Sequence, residues 1–60
     1  MAKSIRERKL EGMIDDIKYL EDLGLEAEEI LERILSDDNG YTDNKTIVEA
    51  FKKCGYDVTL

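Results

Sequence analysis

The sixty-residue chain has 40% charged residues, a formal net charge of −6 at pH 7, no proline and no histidine. This length allows one domain, over residues 1–60. A chain this short buries only about 60% of the surface that it exposes when unfolded. Regular helix packing or self-association must therefore supplement its small core. A single cysteine excludes an internal disulfide and, without histidine, the usual tetrahedral zinc site, so we expect no metal or other cofactor.

The distribution of apolar residues argues against export and membrane insertion. No run approaches the ~20 apolar residues that a membrane span needs. The basic N-terminus is not followed by the hydrophobic run of a signal peptide. We therefore expect a cytoplasmic protein that does not contact membranes.

The first predicted helix runs from about Ser4 to Leu23. Ser4 and Glu7 have the spacing of a capping box, and Gly24 suits the left-handed position that ends a helix. Apolar residues at steps of three and four predict a stripe that faces the core. This stripe consists of Leu10, Met13, Ile14, Ile17 and Leu20.

A second line of residues lies on the opposite side of this helix. It consists of Ile5, Gly12, Tyr19 and Leu23. A glycine inside a helix costs up to about 1 kcal/mol relative to alanine, and close approach of another helix would compensate for that cost. These residues are therefore the predicted dimer or docking face. The alternative is that the tail covers Ile5 and Leu23 at the helix ends, while Tyr19 lies singly on the surface and Gly12 has no role.

The second predicted helix begins at a cap at Glu26 and ends at 37–40. Leu25 and Ile30 have the spacing of a hydrophobic staple around this cap. The link at 24–25 is so short that the first two helices must form a hairpin or a corner. The predicted inward face consists of Ala27, Ile30, Leu31, Ile34 and Leu35.

The third predicted helix ends at Gly55, where Tyr56 can fold back onto Phe51. Three good capping residues precede it: Thr42, Asp43 and Asn44. Its predicted apolar face is Ile47, Val48, Phe51 and Cys54. The predicted fold class is all-α: a small three-helix domain, with a helical hairpin, a third helix and a short extended C-terminal tail at 57–60.

The charge is unevenly spread. Residues 11–43 hold twelve acidic residues against two basic ones, a net charge of −10. Such a surface repels nucleic acid and attracts a basic protein surface. The predicted acidic partner-binding face consists of Asp15, Asp22, Glu29 and Glu32. The bases instead cluster near the N-terminus, at Lys3, Arg6, Arg8 and Lys9.

Neither a calcium site nor a catalytic centre is predicted. If Gly40 is placed at position 6 of a calcium loop, Leu35 and Thr46 occupy the two positions that need Asp and Glu. Cys54 has no histidine in the chain to act as its base. A three-helix unit of this size also has little room for a substrate cavity. We therefore expect that the protein is not an enzyme.

Two segments are similar to parts of known regulators. The stretch 46–59 contains a helix, Gly55, Tyr56, Val58 and Thr59, and resembles the middle of an arginine-repressor-type winged helix. In that family a similar stretch leads into the DNA-reading helix, before which this chain ends. The junction 23–30 resembles the hairpin link of small anti-repressor proteins of the SinI type, which is compatible with a protein-interaction role.

The function predicted from these patterns is protein binding without catalysis. The chain is interpreted as a small regulator or inhibitor that binds a basic surface of another protein, which could itself bind nucleic acid, and that forms a homodimer. The alternative is a dimeric DNA-binding transcriptional regulator that uses the third helix and the basic N-terminus. Direct nucleic-acid binding is the less expected of the two because of the acidic surface.

Overall fold

The computed structural model describes residues 4–60, which form three helices and contain no strand. Helix α1 spans Ile5–Asp22, α2 spans Ala27–Asp38 and α3 spans Asn44–Lys53. Residues 56–60 follow without regular secondary structure. The all-α, three-helix prediction is confirmed. Lys3, predicted as part of the basic N-terminus, lies outside the described residues.

Side chains cap two of the three helix starts. The Ser4 hydroxyl accepts a hydrogen bond from the Glu7 amide at 3.1 Å, which is the serine half of the predicted capping box. The cap of α2 is Glu26, as predicted, without a side-chain hydrogen bond. Asp43 caps α3 and accepts hydrogen bonds from the amide and the hydroxyl of Thr46, at 3.3 and 2.7 Å. This identifies Asp43 among the three predicted capping residues.

The predicted glycine stops end α1 and α3. Gly24 has a φ of 89°, and the next amide, that of Leu25, donates to the Leu20 carbonyl at 3.3 Å. After α3 the Tyr56 amide donates to the Phe51 carbonyl at 2.9 Å, and their rings meet edge to face at 6.1 Å. Both ends therefore form the predicted Schellman-type turns, which reverse the chain toward the core.

Helix α1 lies at the centre of the fold, because its backbone comes close to both other helices while the backbones of α2 and α3 stay further apart. Leu35, predicted to face inward, is instead 37% exposed. The buried residues of α2 are Ile30 and Ile34, a narrower stripe than predicted, and Leu35 lies beyond its edge. The buried apolar residues are Met13, Ile17, Leu20, Ile30, Ile34, Ile47, Ala50 and Phe51.

The connection between α2 and α3 is held by a buried threonine. Thr42 donates its amide and its hydroxyl to the Asp38 carboxylate, at 2.7 and 2.6 Å. Asn39 just before it adopts a left-handed conformation with a φ of 49°. These contacts give Asp38, at the end of α2, a role in the turn. None of the described helices is both long and apolar enough to cross a membrane.

Candidate interaction surface

The second line of α1, predicted from the sequence as a dimer or docking face, is open to solvent. Ile5 is 75% exposed, Tyr19 is 64% exposed and Leu23 is 58% exposed. A Cβ atom added at Gly12 would meet no heavy atom within 4 Å. We call Ile5, Gly12, Tyr19 and Leu23 the α1 stripe. Within residues 4–60, no other part of the chain covers it.

A groove of about 510 Å³ runs between α1 and α2 beside the C-terminal half of this stripe. Tyr19 and Leu23 form one wall, and the buried residues Met13, Leu20 and Ile34 form the floor. The remaining lining residues are charged: Asp16, Arg33, Asp37 and Asp38. Sequence reasoning missed these residues because they share a surface only once α2 has docked on α1.

The predicted acidic face is divided between two helices. Glu29 and Glu32 lie one turn apart on the outer side of α2 and border a shallow depression with Arg33. Asp15 and Asp22 are exposed on α1, on the flank of the stripe that faces away from α2. In the part of the chain that the structure describes, none of these four carboxylates takes part in an ion pair or a side-chain hydrogen bond.

Two of the basic side chains near the N-terminus are engaged within the chain. The Arg6 guanidinium forms an ion pair with the Glu49 carboxylate of α3 at 3.1 Å. The Lys9 ammonium lies 4.1 Å from the centre of the Tyr41 ring, a cation–π contact. Lys45 and Lys52 of α3 border a depression that also contains Asp43, Glu49 and Arg6, so the charge there is mixed.

The single thiol is poorly suited to nucleophilic chemistry. Burial and the nearby Glu21 carboxylate raise the pKa of Cys54, while Lys18 has a smaller opposite effect. The same two causes raise the pKa of Tyr56 beside it. A thiol with a raised pKa stays protonated at neutral pH and is a weak nucleophile. Across residues 4–60, no group of three or more Cys, Asp or Glu side chains is arranged to hold a metal ion.

Comparison with known proteins gives no assignment: no family model, no curated protein and no solved structure matches this chain significantly. The two resemblances noted in the sequence gain no support from them. The functional interpretation therefore depends on the surfaces described above.

Proposed function

We propose that the chain is a non-catalytic interaction module, a small regulator or inhibitor that binds a basic surface of a partner protein. One observation carries this proposal. Residues 11–43 have a net charge of −10, and the carboxylates of Asp15, Asp22, Glu29 and Glu32 are exposed and form no ion pair within residues 4–60. Arg33 beside Glu29 and Glu32 compensates only part of this charge, so the rest must come from solution ions or from another molecule.

The outer side of α2 is the centre of the proposed binding surface. Glu29 and Glu32 border the same depression, so one basic side chain can approach both carboxylates. Charges at the rim of an interface raise the association rate and select against acidic partners more than they add affinity. This suits a regulator that must find one basic protein among many others. A nucleic-acid-binding protein is a natural candidate, because its binding site is basic.

Capture from an extract of the source cells, followed by mass spectrometry, tests the proposal. The native chain is compared with the double variant Glu29→Lys/Glu32→Lys. The control, Glu28→Lys/Asp57→Lys, makes the same change in net charge at two exposed residues outside the depression. We expect the native chain and the control to capture a basic protein that Glu29→Lys/Glu32→Lys does not capture. Raising the salt concentration should release this protein.

Two results would contradict the proposal. One is equal capture by all three chains, because the depression on α2 would then have no role. The other is sequence-specific, nanomolar binding of duplex DNA in a gel-shift titration over several salt concentrations. That result would favour the alternative of a dimeric DNA-binding regulator that uses α3 and the basic N-terminus.

A further inference from the structure

The α1 stripe has the spacing of a helix–helix seam. Ile5, Gly12 and Tyr19 recur every seven residues and lie on one line of α1, and Leu23 extends that line by one turn. A seven-residue step falls only about 20° short of two full turns, so such residues stay in register along a second helix. The exposed side chains of Ile5 and Tyr19 lie on either side of Gly12, each about 10 Å from it along the helix axis.

Charged residues flank this line in a repeated order. Arg8 and Asp15 lie on one flank, and Lys9 and Asp16 lie on the other. The second flank faces α2, because Asp16 lines the groove and Lys9 contacts Tyr41 after α2. On both flanks the base is in the N-terminal half and the acid in the C-terminal half. Each flank is therefore complementary to itself when the direction of the helix is reversed.

We propose that a second copy of this chain packs its α1 antiparallel on the α1 stripe, with the two-fold axis at Gly12. Ile5 of one copy then faces Tyr19 of the other, because Gly12 lies seven residues from each. The same register places Arg8 opposite Asp15 on one flank and Lys9 opposite Asp16 on the other. Every charged pair occurs twice because the interface is symmetric.

The charges select this direction over a parallel one. A parallel pair in register would bring opposite flanks together and set Arg8 against Lys9 and Asp15 against Asp16, and like charges across a seam repel each other. In the antiparallel pair each flank meets the same flank of the other copy, so opposite signs meet. Arg8 and Asp15 are exposed and make no ion pair or side-chain hydrogen bond within residues 4–60, so both are available.

This arrangement also explains the glycine. Glycine weakens a helix interior because it has more conformational freedom to lose. At the two-fold axis, however, two Gly12 residues meet, and the absence of both Cβ atoms lets the helix backbones approach closely. The space around the Cβ position is empty in the single chain, so the fold of one copy does not require glycine there.

The inference does not depend on the partner proposed above. It assigns Asp15 to the seam and leaves Glu29 and Glu32 exposed on α2. A change to the seam and a change to the α2 surface therefore have separable effects on self-association and on capture of a basic protein.

Sedimentation equilibrium on the native chain and on charge variants tests the proposal. We expect a dimer whose dissociation constant rises with salt. Arg8→Glu alone and Asp15→Arg alone should each raise that constant about tenfold, because each places like charges together at two symmetric sites. The double variant Arg8→Glu/Asp15→Arg should restore it toward the native value. The control Lys18→Glu makes the same charge change as Arg8→Glu at a position off the seam, and should leave the constant within about twofold.

Gly12→Ala provides a second, independent measurement. It should raise the helicity of the dilute chain but weaken the dimer, whereas an incidental glycine would give the first effect without the second. The proposal is overturned if the native chain is monomeric at about 1 mM, a concentration at which even a weak complex forms. It is also overturned if the charge-swapped double variant dimerises no better than the single variants, or if Gly12→Ala dimerises as tightly as the native chain.

Discussion

Exchanging glycine for alanine at Gly12, inside α1, and at Gly24, just after it, should change the free energy of unfolding in opposite directions. Gly24 has a φ of 89°, while Gly12 lies inside the regular helix. At both positions an added Cβ would meet no heavy atom within 4 Å. Steric overlap is thus absent in both cases, and only the backbone conformation distinguishes the two substitutions.

The magnitudes follow from that difference. An L-residue in the left-handed region costs about 1–2 kcal/mol. The smaller entropy of the unfolded alanine chain offsets about 0.4–1 kcal/mol of this. Gly24→Ala should therefore destabilise the fold by about 1 kcal/mol. Gly12→Ala should stabilise it by about 0.8–1 kcal/mol, which is the difference in helix propensity. The two variants should thus differ by about 2 kcal/mol, or about 8–16 °C in Tm for a domain of this size.

Urea unfolding followed by far-ultraviolet circular dichroism measures both variants. The chain is used at low micromolar concentration, so that self-association contributes little to the result. If Gly24→Ala were as stable as the native chain, the left-handed turn that ends α1 would be wrong. If Gly12→Ala were less stable than the native chain at this dilution, Gly12 would have a role within the single copy, contrary to the open space around it.

Two further predictions concern titrating groups. The hydrogen bond from the Thr46 hydroxyl is the main cause that lowers the pKa of Asp43 from its ordinary value of 3.8. The Asp43 carboxylate therefore stabilises the fold above about pH 4, and this contribution is lost as the pH falls through the lowered pKa. In urea titrations at several acidic pH values, the free energy of unfolding should fall less steeply with decreasing pH for Asp43→Asn than for the native chain. The same pH dependence for both chains would contradict this prediction. Because burial and then Glu21 raise the pKa of Cys54, iodoacetamide should alkylate the folded chain more slowly than free cysteine, and Glu21→Gln should increase the rate. Equal rates for the native chain and Glu21→Gln would exclude an effect of that carboxylate.

The helix ends could be predicted from the sequence because their causes are local. Ser4 and Gly24 act through hydrogen bonds to residues at most five positions away, and so does the turn after Gly55. The start of α3 could not be chosen among Thr42, Asp43 and Asn44 from the sequence, because all three are residue types that cap helices. Thr42 is instead buried and donates to Asp38, and the sequence alone does not reveal that contact.

Tertiary packing accounts for what the sequence did not predict. The predicted inward face of α2 is too wide at Leu35, because the periodicity of one helix does not tell how much of its surface other elements cover. The neighbours of α2 bury Ile30 and Ile34 and leave Leu35 at the surface. The same reasoning applies to the groove, where Asp16 of α1 meets Arg33 and Asp37 of α2 only through the docking of the two helices.

The two proposals use different surfaces, and this difference has a consequence for the mode of binding. An antiparallel α1 pair covers the stripe and leaves the outer side of α2, with Glu29 and Glu32, exposed on each copy. The two-fold axis of the dimer would then relate two identical acidic surfaces, one on each copy. A partner with two suitably spaced basic sites binds such a dimer with avidity, because the second contact becomes intramolecular. Disruption of the seam should therefore weaken capture of such a partner even with Glu29 and Glu32 intact, while a partner with one basic site should bind both forms equally.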